Sequence, residues 1–328
     1  MMNALTRRQL LASSPALLAP LGTGLRAQTR YPERPVTLLD PFTPGSNTDY
    51  FSRALADEMG RLLGQPMVVE NKAGGGGAIG AEAVARAKPD GHVLGLASVS
   101  TLVANPAVNK ALRYDPLADF TTLTTLVTVP SATVVLASSP IKSLDDLLKA
   151  ARAQPGHISF ASPGVGSAGH VLLAHFSHLA GVRFNHVPYR GSGAIQNDLL
   201  GGQLDVASDN IPALLPHIQS GRLRVLALRD MRRLPQLPAV PTYAELGFEA
   251  VSQPLWFGLV GPAGLPRDIV KRLNETAHQA LRSAGFQHKA TLAATTVAPS
   301  TPEAFQALVR RWLEQFKATV QAAHIVLE

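Results

Sequence analysis

Three stretches of the chain repeat one local plan: an apolar strand, a glycine-rich loop, then the first turn of a helix. They are Val36 to Phe42 followed by Thr43-Pro44-Gly45-Ser46-Asn47-Thr48-Asp49, Met67 to Asn71 followed by Gly74-Gly75-Gly76-Gly77, and His157 to Ala161 followed by Ser162-Pro163-Gly164-Val165-Gly166-Ser167. Strands that alternate with helices in this way predict parallel sheet in an α/β layout. A helix start carries unpaired backbone N–H groups and the positive end of the macrodipole, so each loop is a potential anion cradle. Glycine lets the backbone approach a ligand and supplies the conformations that turn successive N–H groups inward. No nucleophile, base or metal cluster accompanies these loops. The pattern points to a chain that holds an anion and does not transform it.

The alternation continues from Tyr31 onward. Tyr50, Phe51, Leu55, Met59, Leu62 and Leu63 recur at helical spacing up to Gly64, Ala78 to Ala87 reads as a helix stopped by Lys88-Pro89-Asp90-Gly91, and His92 to Ala97 as a strand. The β-branched run from Thr121 to Ala137, interrupted by Pro130, is too long for one ordinary strand and is expected to cross between domains. Ser143 caps a helix with Asp145 and Asp146 in its first turn. A second α/β unit follows, with strands at Ile158–Ala161, Asn185–Tyr189, Leu204–Ala207 and Arg224–Leu228. The run Leu255 to Val260 reads as a second crossing strand, and helices opened by Pro266-Arg267-Asp268 and Thr301-Pro302-Glu303 end the chain. Two crossings predict two hinged lobes, with the ligand cleft between them at the carboxyl ends of the strands. Residues 30–127 and 252–328 form the expected first domain, discontinuous in sequence, and 128–251 the second.

Residues 1–27 read as an export leader. Thr6-Arg7-Arg8-Gln9-Leu10-Leu11 gives a charged start, an apolar stretch reaches Leu21, and Leu25-Arg26-Ala27 offers a small residue for cleavage. The paired arginines resemble a twin-arginine signal, with the general secretory route as the alternative. Periplasmic localisation is expected. The chain has no cysteine, which excludes a disulfide scaffold, a thiol nucleophile and cysteine zinc sites. Its hydrophobic content of 46% against 16% charged residues suits two packed domains without them. The formal charge of +7 falls to about +4 once Arg7, Arg8 and Arg26 leave with the leader, and what remains is scattered. Basic blocks with interleaved aromatics are missing, so no nucleic-acid partner is expected.

Gly75-x-Gly77-x-x-Gly80 and Gly164-x-Gly166-x-x-Gly169 match the dinucleotide fingerprint, but neither has the acidic residue expected about 20 positions later. No Gly-Lys-Ser/Thr sequence occurs, which excludes a P-loop, and Ser167 and Ser192 lack the Gly-x-Ser-x-Gly elbow. His175 and His178 stand at helical spacing without a glutamate, so no metal and no cofactor is expected. His170 differs, because it falls in the first helical turn after Ser167, close to any anion held there. Ser46 is expected to cap its helix on the N–H of Asp49, and Asp49 to order the loop, a ligand ammonium being its other possible partner.

Taken together, these residues resemble the Bug family of periplasmic solute-binding proteins, the receptor component of tripartite tricarboxylate transporters. The likeness covers the mature chain. It rests on Tyr31-Pro32-x-x-Pro35-Val36, Pro41-Phe42-Thr43-Pro44-Gly45-x-x-Thr48-Asp49, Val69-Glu70-Asn71-Lys72-x-Gly74-x-Gly76-Gly77 and Pro89-Asp90-Gly91. Further matches are Ser162-Pro163-Gly164-x-Gly166-Ser167 with His170, His186-Val187-Pro188-Tyr189-Arg190-Gly191, and Leu237-Pro238-x-Val240-Pro241-Thr242-x-x-Glu245-Leu246-Gly247.

The resemblance implies a type II periplasmic binding fold: α/β, with two lobes joined by crossing strands and a ligand cleft between them. It implies a small carboxylate as ligand, held by backbone groups and water from Thr43–Asp49 and Ser162–Ser167. The expected partner is a two-component membrane permease, or alternatively a sensor kinase, and the chain is expected to be a monomer and not an enzyme. The expected ligand-binding set is Phe42, Thr43, Pro44, Gly45, Ser46, Asn47, Thr48, Asp49, Gly76, Gly77, Ser98, Ser162, Pro163, Gly164, Val165, Gly166, Ser167, His170, Tyr189 and Asp209. Two departures from the family pattern stand out. Asp40 ends the first strand where an apolar or small residue is usual, and Ser46-Asn47 replaces what is often glycine. Asp40 is therefore expected to sense a cationic or hydrogen-bond-donating group on the ligand.

Overall fold

Proline has no N–H to give to a ladder, and at Pro130 the long β-branched run changes sheets: Phe120–Val129 belongs to one, Ser131–Leu136 to another. The computed structural model describes residues 31–326, so the expected leader at 1–27 lies outside the described residues. In chain order the strands are β1 (Val36–Asp40), β2 (Met67–Asn71), β3 (Val93–Ser98), β4 (Phe120–Val129), β5 (Ser131–Leu136), β6 (Ser159–Ser162), β7 (Asn185–Pro188), β8 (Val206–Asn210), β9 (Leu223–Arg229), β10 (Leu255–Pro262) and β11 (Thr296–Val297). The α-helices are α1 (Asn47–Leu63), α2 (Ala78–Ala85), α3 (Asn105–Val108), α4 (Leu144–Ala153), α5 (Ala168–Ala180), α6 (Ser192–Leu200), α7 (Ile211–Gln219), α8 (Arg267–Arg282), α9 (Ala284–Leu292) and α10 (Pro302–Ala322).

The two sheets share one plan. The first runs β11-β4-β10-β3-β1-β2 and the second β7-β6-β8-β5-β9. In the first, β1 lies parallel to both β2 and β3; in the second, β6 lies parallel to both β7 and β8. An antiparallel strand then borders each trio, β10 beside β3 and β5 beside β8. The chain therefore leaves β1 and β6 at points where strand order reverses, and ligands of open α/β sheets bind outside such points. The loops from β1 into α1 and from β6 into α5 lie there. This is the expected two-lobed fold.

One expected element behaves differently. β10 does not cross between lobes. All eight of its residues are buried, and it pairs with β3 on one edge and β4 on the other, which makes it a central strand of the first sheet. A continuous apolar run marks a strand buried on both faces, but nothing in it names the sheet it joins. The return passage is made by residues 230–254, which are held against the second sheet by the bridge from Leu228 to Thr242. Helix α7 is not among the elements expected from the sequence. Its Pro212 and Pro216 look like helix breakers, yet Pro212 occupies the first turn, where its missing N–H costs nothing.

Gly258 of β10 explains how α10 can lie so close to the first sheet. A Cβ at this position would collide with the fully buried Phe305 ring and come within 3.0 Å of the Thr124 carbonyl oxygen. Phe305 also stacks edge-on against Trp256, its ring centroid 5.2 Å away. Gly258→Ala should therefore destabilise the protein by about 1–3 kcal/mol, the usual range for overpacking. Urea unfolding measures it, and unchanged stability would contradict this packing.

Candidate functional site

The β1–α1 loop is built on two carboxylates that face into it. Asp40 is fully buried and accepts from the Phe42 N–H at 3.0 Å, Thr48 Oγ1 at 2.9 Å and Ser52 Oγ at 2.6 Å. Burial pushes its pKa up to about 6, against the pull of those three hydrogen bonds. Asp40 does not line the cavity between the lobes, so the expectation that it senses ligand charge is corrected: its carboxylate is used up in shaping the loop. Asp49 accepts from the Gly45 N–H at 2.9 Å, Asn71 Nδ2 at 2.9 Å and Arg53 Nε at 3.0 Å. Burial works against its charge, but hydrogen bonds from Arg53, Gly45 and Asn71 outweigh it and hold the carboxyl below its usual range. Ser46 caps α1 by accepting from the Asp49 N–H at 3.3 Å. The N–H groups of Asn47 and Thr48, the first two of α1, have no intrahelical partner, and both residues line the cavity.

The second loop closes on itself. Ser167 Oγ caps α5 on the His170 N–H at 3.2 Å, His170 Nδ1 accepts from the Gly166 N–H at 3.2 Å, and the Ser167 N–H donates to the Gly164 carbonyl at 3.1 Å. The Ala168 N–H donates to Ser100 Oγ of the opposite lobe at 3.0 Å. His170 thus occupies a backbone donor of the loop expected to hold the anion. Its ring stacks on His186 at 4.3 Å and 9°. Burial first, and then His170, draws the His186 pKa down to about 4.

The Gly74–Gly77 loop proves to be a packing surface. All four glycines have positive φ, and a Cβ on Gly76 would stand 2.6 Å from the Val165 carbonyl oxygen and 2.8 Å from the Ser167 nitrogen. The opposing loops meet backbone to backbone, which only glycine permits.

Between the lobes lies a cavity of about 580 Å³ of empty space, its mouth included. Of the expected residues, Phe42, Ser46, Asn47, Thr48, Ser98, Pro163 and Asp209 line it. Thr43, Pro44, Gly45, Asp49, Gly76, Gly77, Ser162, Gly164, Val165, Gly166, Ser167, His170 and Tyr189 do not. The Tyr189 hydroxyl donates instead to Asp198 Oδ2 at 2.6 Å, and Ser162 Oγ pairs with His186 Nε2 at 2.6 Å. Ser192 at the start of α6, Gly169 in the first turn of α5, Ser100, Asn210 and Arg229 line the cavity and were not foreseen. The starts of α1, α5 and α6 therefore converge on it, each contributing positive potential.

Asn47 spans the cleft. Its Nδ2 donates to Ser192 Oγ at 3.0 Å and Asp209 Oδ1 at 3.2 Å, and its Oδ1 accepts the Ala213 N–H of α7 at 3.0 Å. Asp209 Oδ1 also accepts from Ser192 Oγ at 3.0 Å and the Asn210 N–H at 2.7 Å, while its buried Oδ2 has no hydrogen-bond partner. Burial raises the Asp209 pKa to about 6.

Arg229 ends β9 and is 3% exposed. Nε donates to the Val251 carbonyl at 2.8 Å, Nη1 donates to Ser131 Oγ at 3.2 Å and Ser208 Oγ at 3.1 Å, and the guanidinium lies 5.1 Å from the centre of the Tyr243 ring. All these partners are neutral, and among the described residues Nη2 is left uncommitted. The strand expected at Arg224–Leu228 runs one residue further, to Arg229, which is absent from the expected ligand-binding set. The signal was its place at the carboxyl end of a buried α/β strand, where ligand crevices open. Hydroxyls, amide N–H groups, one guanidinium and one carboxylate make a lining for a small anion.

The raised pKa of Asp40 has a signed consequence. A carboxyl that ionises near 6 in the folded chain and near 3.8 when unfolded binds its proton more readily folded. Its contribution to unfolding free energy therefore falls as pH rises through that window, and is constant outside it. Asp40→Asn should remove this component, so the stability difference between wild type and variant should shift in the variant's favour between about pH 4 and pH 6. Urea titrations at half-unit pH steps measure it. A difference independent of pH would contradict the buried, raised carboxyl.

The sequence profile of the family described as tripartite tricarboxylate transporter family receptor matches residues 51–323. Protein BugT of Bordetella pertussis (strain Tohama I) is 36% identical over 293 residues, covering 89% of this chain and 90% of BugT. The solved structure of the periplasmic binding protein BugD matches with a TM-score of 0.87 at 32% identity, covering 91% of this chain and 100% of that one. An R. palustris protein solved with adipate matches with a TM-score of 0.86 at 32% identity, covering 90% of this chain and 99% of that one. These matches place the chain: it belongs to the tripartite tricarboxylate transporter receptor family, beside the Bug periplasmic binding proteins.

Proposed function

We propose that this chain captures a small organic carboxylate in the cavity between its lobes and presents the closed form to a membrane permease. The observation that carries the reading is Arg229: a buried guanidinium with no carboxylate partner, lining a cavity where three helix starts converge. A buried charge is costly unless it is paired, and a ligand carboxylate pairs it. The adipate held by the R. palustris relative supports the same ligand class. The family and its solved neighbours are binding proteins, which supports binding without turnover. In this reading residues 1–27 are an export leader and the mature chain is a periplasmic monomer. Its lobes divide at Pro130, between β4 and β5, and again within residues 230–254. The seven expected residues that line the cavity, together with Ser100, Ser192 and Arg229, form the ligand shell.

Calorimetry with small mono- and dicarboxylates, adipate and succinate among them, tests the proposal. At least one acid should bind one to one, raise the melting temperature and compact the protein in solution scattering, while its methyl ester binds far more weakly. Arg229→Gln should weaken that acid by about 1.5–3 kcal/mol, as for a charge-assisted hydrogen bond. Esters that bind as tightly as acids, or slow conversion of the acid, would contradict the reading.

A further inference from the structure

Helix α7 does not cap itself. Its N-cap residue, Asn210, has the extended backbone of a cap, yet its side chain makes no capping hydrogen bond. The N–H of Ala213, third residue of the helix, is a donor that a cap side chain ordinarily meets. It donates instead to Asn47 Oδ1 at 3.0 Å, and Asn47 is the first residue of α1, in the other lobe. The second lobe therefore takes the cap of one of its helices from the first.

The neighbours fix which way the Asn47 amide faces. A backbone N–H only donates, so Oδ1 faces Ala213; a carboxylate only accepts, so Nδ2 faces Asp209. Ser192 Oγ closes the set, accepting from Asn47 Nδ2 at 3.0 Å and donating to Asp209 Oδ1 at 3.0 Å. Asn47 is 5% exposed, so water has little access to these bonds. The loop that carries it is braced on both sides, by the Gly45 N–H on Asp49 and the Asp49 N–H on Ser46. Every partner is a group of the protein, so the contacts engage whichever ligand lies in the cavity.

We propose that Asn47 is a positioning residue: a latch that caps α7 across the cleft, favours the closed form and slows the release of every ligand by a common factor. The inference rests on the receptor reading above and adds how closure is held. Each hydrogen bond of this kind favours the state that contains it by about two- to tenfold. An interaction present only in the closed form raises its population, and apparent affinity rises with the fraction of competent molecules. A ligand enters through the open cleft, where the latch is already broken. The latch therefore acts on release and not on association.

The test compares wild type with Asn47→Ala and with Ala213→Pro, which removes the donor from a residue that does not line the cavity. Proline is tolerated in a first helical turn, where Pro212 already stands. The decisive readout lies at the other bridge, the Ala168 N–H on Ser100 Oγ, because a purely local contact at α7 would not move it. In the ligand-free proteins, amide exchange at Ala168 read by NMR should quicken about 10-fold in both variants, and the radius of gyration should rise. With adipate and succinate as probes, stopped-flow release of each acid that binds should quicken about 10-fold by a common factor, with association changed by less than about threefold. Unchanged exchange at Ala168 in Asn47→Ala overturns the latch. So does a loss confined to one of two acids that bind, which would make Asn47 a ligand contact. If Ala213→Pro fails to fold by circular dichroism, Asn47→Ala alone decides. If neither acid binds, the receptor reading loses its support, while ligand-free exchange at Ala168 still decides the latch.

Discussion

The lobes are joined by polar groups that neither lobe satisfies alone. Asn47 is the centre of this arrangement. Its amide is made of one acceptor and two donors, and all three kinds of contact it makes are with Ser192, Asp209 and Ala213 across the cleft. Ser100 adds a second bridge by accepting from the first N–H of α5. Each such bond contributes only about 1 kcal/mol net, so closure rests on a few contacts and remains sensitive to what fills the cavity. The same contacts fix Asp209 by one oxygen and leave the other idle. Opening the cleft would release these groups to water together, so lobe motion and solvation of the site are one event.

Placement of the site follows from topology. In each sheet the chain departs from a strand with parallel neighbours on both sides, and the departing loop must stand at the carboxyl edge where strand order reverses. Both sheets obey this plan, and the chain passes directly from β4 to β5 at Pro130, so the two edges face one cavity. The backbone contact of Gly76 with Val165 to Ser167 then sets how near they come. Positive φ at four successive glycines looks in sequence like a phosphate cradle. In the folded chain it lets one loop lie flat against another.

Local features were legible in the sequence, and long-range ones were not. Ser46, Ser143, Ser167 and Thr301 each cap their helix through the side chain, because a cap depends on residues within one turn of it. The alternation of strands and helices carried the α/β class for the same reason. By contrast, the apolar run of β10 carries no mark of which sheet it joins. His170 was placed beside the ligand by its distance in sequence from Ser167, but its ring turns back onto the Gly166 N–H. Arg229 carries no local signal of its partners because its meaning depends on Ser131, Ser208 and Val251, residues 21 to 98 positions away. Asp40 and Asp209 are both buried carboxylates at strand ends. Only the count of hydrogen bonds on each oxygen separates the one that builds a loop from the one that has an oxygen to spare.

The account depends on a ligand entering the cavity that Asn47 closes, and hydrogen exchange read by mass spectrometry tests this most directly. With a binding carboxylate present, peptides covering residues 45–50, 167–171, 190–194 and 206–213 should gain protection together, since they carry the helix starts and the Asn47 contacts. The groove lined by Pro106, Asn109, Arg113, Asp119, Leu313 and Lys317, which shares no residue with the cavity, should not change. Protection confined to that groove, or to one lobe's loops without the other's, would contradict capture between the lobes.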